Sequence, residues 1–221
     1  MIGYLIEQEL ENALDHARPV ATLLTQIRVD PDDPAFDVPS KFVGPVYDRA
    51  KAEEMAARHG WSVAPDGEHW RRVVPSPAPM EIPDLKVIRL LLASRTIVIC
   101  AGGGGIPVVA RPDGSLTGIE AVIDKDASSA LLADALDADG LVMLTDVEGI
   151  MRDFGTDAAA LIERLSPEEA EALDLAAGSM GPKAEAAARF AATGQGRRAG
   201  IGRLGQALEI LEGRAGTLVA L

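Results

Sequence analysis

The sequence predicts an α/β fold, a three-layer α/β/α arrangement with a mostly parallel central sheet and a small protruding subdomain. From residue 82 onward, short apolar runs alternate with segments of helical periodicity. This alternation is typical of a parallel sheet with helices on both faces. Residues 30–79 differ in character, because they hold most of the prolines and both tryptophans. We therefore predict an α/β domain of residues 1–29 and 80–221, and a lid-like subdomain of residues 30–79.

The order of elements follows from the spacing of apolar residues. Residues 2–16 place five aliphatic side chains on one stripe, which predicts an amphipathic helix. The apolar run at 21–29 predicts a single strand, and the turn at 112–114 predicts a short hairpin. The remaining predicted helices lie near 48–58, 83–94, 126–136, 167–173, 182–193 and 204–211, and the remaining strands near 70–74, 96–101, 120–123, 141–144, 199–201 and 217–221.

Composition excludes several classes of partner. The net charge of −13 argues against binding to nucleic acid or to an anionic membrane, because phosphate contacts need clustered lysine and arginine. No apolar run approaches the ~20 residues of a membrane span. The single cysteine, Cys100, excludes an internal disulfide and predicts a reducing, cytoplasmic compartment. Because it lies in an apolar run, we expect a buried structural thiol.

Four glycines, Gly102, Gly103, Gly104 and Gly105, directly follow the predicted strand at 96–101. Ligands of open α/β sheets bind beyond the carboxyl ends of strands. Glycines at such a place allow close approach of the backbone, and their amides can form a nest for an anion. We predict that this run binds substrate, with a mobile loop as the alternative.

A second glycine-containing motif, residues 178–183, precedes a predicted helix. Pro182 suits the first helical position, and Gly181 suits the turn before it. Lys183 would then project from the first turn, near the positive end of the helix dipole, where a lysine is disfavoured unless an anion is bound. The motif predicts a phosphate contact, and a simple capping turn is the alternative.

Two further motifs lie at the ends of predicted elements. Asp126 begins a helix and could be its N-cap, or it could orient lysines while Lys125 faces phosphates. Thr145 and Asp146 follow a strand, where they could meet a nucleotide, although Asp146 alone could be a turn residue. Backbone amides together with lysines are what phosphoryl transfer requires, so the four motifs predict a small-molecule kinase. The three histidines share no ligand spacing, and we assign no residue to a protein-bound metal.

These residues resemble the carbamate kinases of the amino-acid-kinase family. The resemblance rests on segments spread over the whole chain, including KFVGP from Lys41, AGGGGIPVV from Ala101, EAVIDKDASSALLA from Glu120, LTDVEGIMRDFGT from Leu144 and GSMGPK from Gly178. It implies reversible phosphoryl transfer between ATP and carbamate, in which carbamoyl phosphate and ADP form ATP and carbamate or the reverse. It also implies Mg²⁺ bound with the nucleotide and a cytoplasmic homodimer.

The resemblance also implies roles for individual residues. Lys41, Lys125 and Lys183 would contact the transferred phosphoryl group, and Asp126 would organise the lysines. The glycine run would bind the carbamate end of the substrate. The residues that would lie near the nucleotide are Thr145, Asp146, Val147, Met180 and Gly181.

The chain departs from the family pattern at its beginning. Family members carry a further segment before the position of Met1, with the first strand and a glycine-rich phosphate loop, so we expect an N-terminally truncated sequence. Two alternatives to a carbamate kinase follow. One is a truncated and catalytically inactive remnant or fragment of that enzyme. The other is a kinase of the same family that acts on another small acceptor.

Overall fold

A computed structural model describes residues 2–175 and 179–221. The chain forms two compact units, of which the first contains Met1–Asp84 and Thr96–Asp124 and the second contains Leu85–Arg95 and Lys125–Leu221. Both combine helices with parallel and antiparallel strand pairs, so the predicted α/β class is confirmed. The predicted subdomain of residues 30–79 lies within the first unit, and its boundaries remain a prediction.

The first unit contains two α-helices, one 3₁₀ helix and eight strands among its described residues. These elements are α1 (Ile2–Ala13), β1 (Val20–Thr22), β2 (Gln26–Arg28), the 3₁₀ helix Pro34–Phe36, β3 (Lys41–Tyr47), α2 (Arg49–His59), β4 (Ser62–Asp66), β5 (His69–Val74), β6 (Ile97–Ile99), β7 (Ile106–Ala110) and β8 (Leu116–Gly118). Strand β1 pairs in parallel with β6, and β2 pairs in parallel with β7, to which β8 adds as the second strand of a hairpin. Strands β3, β5 and β4 form a separate antiparallel sheet, which α2 contacts.

The predicted single strand at 21–29 is wrong, because the chain forms two strands there. Strand β1 pairs with residues before the glycine run and β2 pairs with residues after it. The intervening residues 23–25 leave the strand pairing, and Thr25 among them is buried. The predicted strand at 120–123 is also wrong, since these residues form no strand.

The second unit contains five α-helices and six strands among its described residues. These are α3 (Leu85–Ala93), α4 (Lys125–Ala135), β9 (Gly140–Thr145), β10 (Met151–Arg152), β11 (Ala160–Leu161), β12 (Arg164–Leu165), α5 (Pro167–Glu171), α6 (Met180–Ala192), β13 (Arg198–Arg203), α7 (Ala207–Leu211) and β14 (Thr217–Ala220). The main sheet has the order β12-β14-β13-β9, with parallel pairs β12–β14 and β13–β9. Strand β14 runs antiparallel to β13.

The second unit has three layers around strand β13. Successive residues of a strand face opposite sides of the sheet. Ala199 and Ile201 belong to the buried core that also contains Phe190 and most of the alanines of α6. On the other face, Cβ atoms at Gly200 and Gly202 would lie 2.3 and 2.7 Å from side-chain atoms of Ile210 in α7. Glycine at these two positions therefore lets α7 pack directly on the backbone of β13.

Candidate active site

Three charged side chains meet at the first turns of α4 and α6. Lys125 and Asp126 are the first two residues of α4, and Lys183 lies in the first turn of α6. The Nζ atoms of Lys183 and Lys125 lie 2.9 and 3.2 Å from the same Oδ2 atom of Asp126. Because α4 begins at Lys125, Asp126 lies inside the helix and not at the N-cap position. The structure therefore brings together three of the four predicted catalytic residues.

Burial distinguishes the two lysines of this cluster. The side chains of Lys183 and Asp126 are 10% and 7% exposed, whereas that of Lys125 is 55% exposed. A buried charge is costly unless it is paired, so Lys183 and Asp126 depend on one another. Lys125 keeps much of its hydration and can turn toward an anion from solvent.

Small side chains place α4 and α6 side by side. Ala130 and Ala133 of α4 and Ala184 and Ala187 of α6 belong to the same buried core. At the far end of α4, Arg197 donates hydrogen bonds to Asp134 Oδ1 at 2.5 Å and to Asp137 Oδ1 at 2.6 Å. The hydrogen bond from Arg197 holds the pKa of Asp134 below its ordinary value. Arg197, which lies a few positions after α6, thus holds the C-terminal end of α4 in place.

The N-terminal end of α6 differs from its prediction. The helix begins at Met180, so Pro182 is its third residue and Gly181 is helical. Proline is tolerated there because the first four N–H groups of a helix have no intrahelical acceptor. Met180 is partly buried against the core and Gly181 is buried. Gly178, the first residue of the predicted motif, lies outside the described residues.

Lys41, the fourth predicted catalytic residue, lies in the first unit as the first residue of β3. Its Nζ atom is 2.6 Å from Oδ2 of Asp124. The two side chains are 34% and 17% exposed, so the carboxylate is largely shielded and the lysine is partly accessible. Asp124 has no predicted role, although the Asp-Lys-Asp run at 124–126 places a carboxylate on each side of a lysine.

The glycine run forms a constrained loop between β6 and β7. Gly104 has φ +138°, and a Cβ atom there would lie 2.0 Å from the carbonyl oxygen of Ile123, so only glycine fits. Ala101 also adopts a positive φ of 60°. Within the described part of the chain, the amides of Gly103 and Gly105 make no hydrogen bond, which leaves them available to an anionic ligand.

The segment 123–126 makes separate contacts within each unit. Within the first unit, Ile123 lies against Gly104 and Asp124 binds Lys41. Within the second unit, Lys125 and Asp126 form the cluster with Lys183.

Thr145, Asp146 and Val147 lie at the carboxyl end of β9 in the second unit. Thr145 is the last residue of that strand, and its Oγ1 donates a hydrogen bond to Asp146 Oδ1 at 3.1 Å. Strand β13, which is parallel to β9, ends beside it with Arg203 opposite Thr145. The carboxyl ends of these two strands have the position expected of a ligand site in an α/β sheet.

Across residues 2–175 and 179–221, no group of three or more His, Cys, Asp or Glu side chains is arranged to hold a metal ion. In the same part of the chain, no helix is both long and apolar enough to cross a membrane. Cys100, predicted to be buried, is only partly buried, and this desolvation raises the pKa of its thiol.

Comparison with known proteins identifies the family. Residues 21–199 match the amino acid kinase family. The chain is 48% identical to the carbamate kinase of Haemophilus influenzae over 219 residues, which are 99% of this chain and 70% of that protein. The carbamate kinase of Giardia lamblia bound to citric acid superimposes with a TM-score of 0.89 at 37% identity, over 99% of this chain and 71% of that one. The same enzyme bound to AMP-PNP gives 0.85 at 38% identity, over 99% and 72%. The chain therefore belongs to the amino acid kinase family and, within it, to the carbamate kinases.

Proposed function

We propose that this protein is a carbamate kinase, which transfers a phosphoryl group between carbamoyl phosphate and ADP and catalyses the reverse reaction. The observation that carries the proposal is the shared Asp126 oxygen that holds Lys125 and Lys183 together, in a chain 48% identical to a carbamate kinase. Two ammonium groups fixed beside each other can neutralise the charge that a phosphoryl group spreads over its oxygens during transfer.

In the direction of ATP formation, a terminal β-phosphate oxygen of ADP attacks the phosphorus of carbamoyl phosphate. The bond between phosphorus and the carbamate oxygen breaks, and carbamate leaves with the electron pair. The attacking oxygen of ADP is already ionised, so the step needs no general base. We assign Lys183 and Lys125 to the oxygens of the transferred group. Asp126 is a positioning residue, because both of its lysine contacts hold ammonium groups in place.

We propose that the glycine run and Lys41 also contact the carbamoyl phosphate. The amides of Gly103 and Gly105 are suited to the carbamate end, with Gly102 and Gly104 shaping the loop around them. Lys41 would add a third cation to the transferred group. Its ion pair with Asp124 supports this role, because the pair fixes the position of an ammonium group that remains one-third exposed.

The second unit would hold the nucleotide. Thr145, Asp146 and Val147 follow the carboxyl end of β9, and Met180 and Gly181 form the first turn of α6. We propose these five residues as the nucleotide contacts. Support comes from the general position of ligands in α/β sheets and from the related Giardia enzyme, which has been solved with AMP-PNP.

The proposal also includes Mg²⁺, a homodimer and a cytoplasmic location. The described residues offer no carboxylate cluster for a resident ion, and Asp126 is already paired with lysines. Mg²⁺ commonly binds through substrate phosphates and water, so we propose that it arrives with the nucleotide. When bound, Mg²⁺ would neutralise charge on the phosphate oxygens.

The test is ATP formation by the purified chain from ADP, MgCl₂ and carbamoyl phosphate, measured with luciferase. We expect turnover that requires both substrates and magnesium. Acetyl phosphate and amino-acid acyl phosphates serve as the matched alternative donors. Turnover with one of these but not with carbamoyl phosphate would assign a different acceptor, and a folded chain without turnover would indicate an inactive protein.

A further inference from the structure

The glycine loop is held at both ends by one buried residue. Thr25 is 3% exposed and lies between β1 and β2. Its Oγ1 accepts a hydrogen bond from the amide of Ala101 at 2.9 Å, and its carbonyl oxygen accepts one from the amide of Ile106 at 2.8 Å. Ala101 precedes the four glycines and Ile106 follows them, so both ends of the loop are anchored to Thr25.

The pairing of the neighbouring strands explains why an anchor is needed. Residues 20–28 run parallel first to β6 and then to β7, with register pairs on either side of the loop. Between these pairs, residues 23–25 face the longer segment 100–105, so the longer segment must protrude from the sheet. Leu23 donates to the carbonyl oxygen of Ile99 at 2.9 Å, which completes the contact before the loop.

The interior of the loop leaves little freedom once its ends are fixed. The amide of Gly104 donates to the carbonyl oxygen of Ala101 at 2.8 Å, and Gly104 itself lies against the backbone of Ile123. A Cβ atom at Gly105 would lie 2.3 Å from Cγ1 of Ile27. The amides of Gly103 and Gly105, which make no hydrogen bond within the described residues, are therefore held in a fixed place.

We propose that Thr25 is a positioning residue for the carbamoyl-phosphate loop. Its hydroxyl anchors the first end of the loop and its carbonyl anchors the second, so that the amides of Gly103 and Gly105 are preorganised for the anionic substrate. This inference rests on the proposed function of the loop. Thr25 touches no reacting atom in this proposal, and its effect on catalysis is transmitted through the loop backbone.

The test compares Thr25→Val, Thr25→Ser and Thr22→Val. Valine removes the hydroxyl while it keeps the branched shape, so the partly buried amide of Ala101 loses its acceptor. Serine retains the acceptor. Thr22→Val is the matched control, because Thr22 is exposed on β1 and its hydroxyl bonds to the carbonyl oxygen of Gly3, outside the loop.

We expect Thr25→Val to raise the KM for carbamoyl phosphate about tenfold or more, with the KM for ADP unchanged. Amide hydrogen exchange of Ala101 should become at least about tenfold faster in the same variant. In Thr25→Ser, the KM for carbamoyl phosphate and the exchange rate of Ala101 should both stay close to those of the parent protein. Thr22→Val should change neither.

Each contrary outcome has a separate meaning. Unchanged exchange at Ala101 in folded Thr25→Val would show that Thr25 does not anchor the loop. Faster exchange with an unchanged KM for carbamoyl phosphate would overturn the role in substrate positioning. Equal increases of both KM values with a lowered Tm would indicate a merely structural residue. If the parent protein made no ATP, the proposed function would fail, while the exchange measurement would still decide the anchoring.

Discussion

Lys183 and Asp126 form a buried ion pair, with 2.9 Å between Nζ of the lysine and Oδ2 of the aspartate. Lys183 lies in the first turn of α6, where the helix dipole disfavours a positive charge. Asp126, from the first turn of α4, offsets that repulsion. The pair thus keeps a cation at a helix N-terminus. Phosphate oxygens bound there can also accept hydrogen bonds from the backbone amides of the helix.

Lys183→Met should lower kcat for ATP formation by roughly 10²–10³-fold, because a preorganised charge donor is lost from the site. Methionine fills much of the same space, and Asp126 keeps its contact with Lys125, so we expect the folded protein to remain. Steady-state kinetics and thermal unfolding measure the two effects. Lys86→Met, on the exposed surface of α3, is the control. Normal turnover of Lys183→Met would remove this lysine from the site.

Asp126→Asn should both destabilise the protein and make its stability depend on added anions. Without the carboxylate charge, the ammonium groups of Lys125 and Lys183 repel each other, and the buried one loses its partner. Removal of one partner from a buried pair typically costs about 3–5 kcal/mol. Sulfate or phosphate should therefore raise the Tm of the variant more than that of the parent protein. An equal rise in both proteins would mean that Asp126 does not balance the lysines.

The effects of Lys41→Met and Asp124→Asn on kcat/KM should not add in the double variant. If Asp124 acts by holding Lys41, Asp124→Asn should cost activity in the parent protein and little or nothing in the Lys41→Met background. The pair is partly exposed, so its own contribution to the free energy of unfolding should be small, at most ~1 kcal/mol. Lys51→Met, which breaks an exposed ion pair within α2, is the control variant. Additive losses in the double variant would contradict the coupling.

Gly104→Ala should destabilise the first unit strongly, whereas Gly103→Ala should leave the free energy of unfolding nearly unchanged. A methyl group at Gly104 would meet the carbonyl oxygen of Ile123 at 2.0 Å in a backbone conformation with φ +138°, but one at Gly103 would meet nothing within 4 Å. We expect a difference of about 2 kcal/mol or more between the two variants in urea unfolding. Similar midpoints would show that the loop relaxes freely.

Arg197→Gln should make the protein less sensitive to acid. Arg197 lowers the pKa of Asp134, so the folded state holds this carboxylate charged to a lower pH than the unfolded state does. The resulting stability is present above the unfolded pKa, ~3.9, and is lost as the pH falls through the folded pKa. The Tm difference between parent and variant should therefore shrink below about pH 4. A constant difference down to pH 2.5 would exclude this linkage.

Local patterns predicted the helices within a few residues but did not predict the small sheets. Residues 21–29 read as one apolar strand because local sequence does not record that β1 and β2 pair with different partners. Strand β3 was not predicted because the pairing register shifts between Val43 and Tyr47, around Gly44 with φ +72° and Pro45. Such an irregularity disrupts the alternation of apolar and polar residues on which strand prediction depends.

The candidate site was predictable where charge and helix position point to the same residue. The sequence pointed to Lys183 and Asp126 because a lysine near a helix N-terminus needs an anion and an aspartate lies at the start of a predicted helix, and the structure places the two side chains together. Thr25 and Asp124 were missed for another reason. Their significance lies in contacts with Ala101 and Lys41, which are 76 and 83 positions away in the sequence, and no local motif marks them.

The cluster at Asp126 also bears on how anions arrive. The chain carries a net charge of −13, so an approaching nucleotide or acyl phosphate meets repulsion at long range. Close to the site, Lys125 and Lys183 can attract the anion, because their two positive charges exceed the one negative charge of Asp126. Salt screens the distant repulsion more than the close contacts. Moderate ionic strength should thus accelerate substrate capture, opposite to the behaviour of enzymes that steer their substrates by a favourable field.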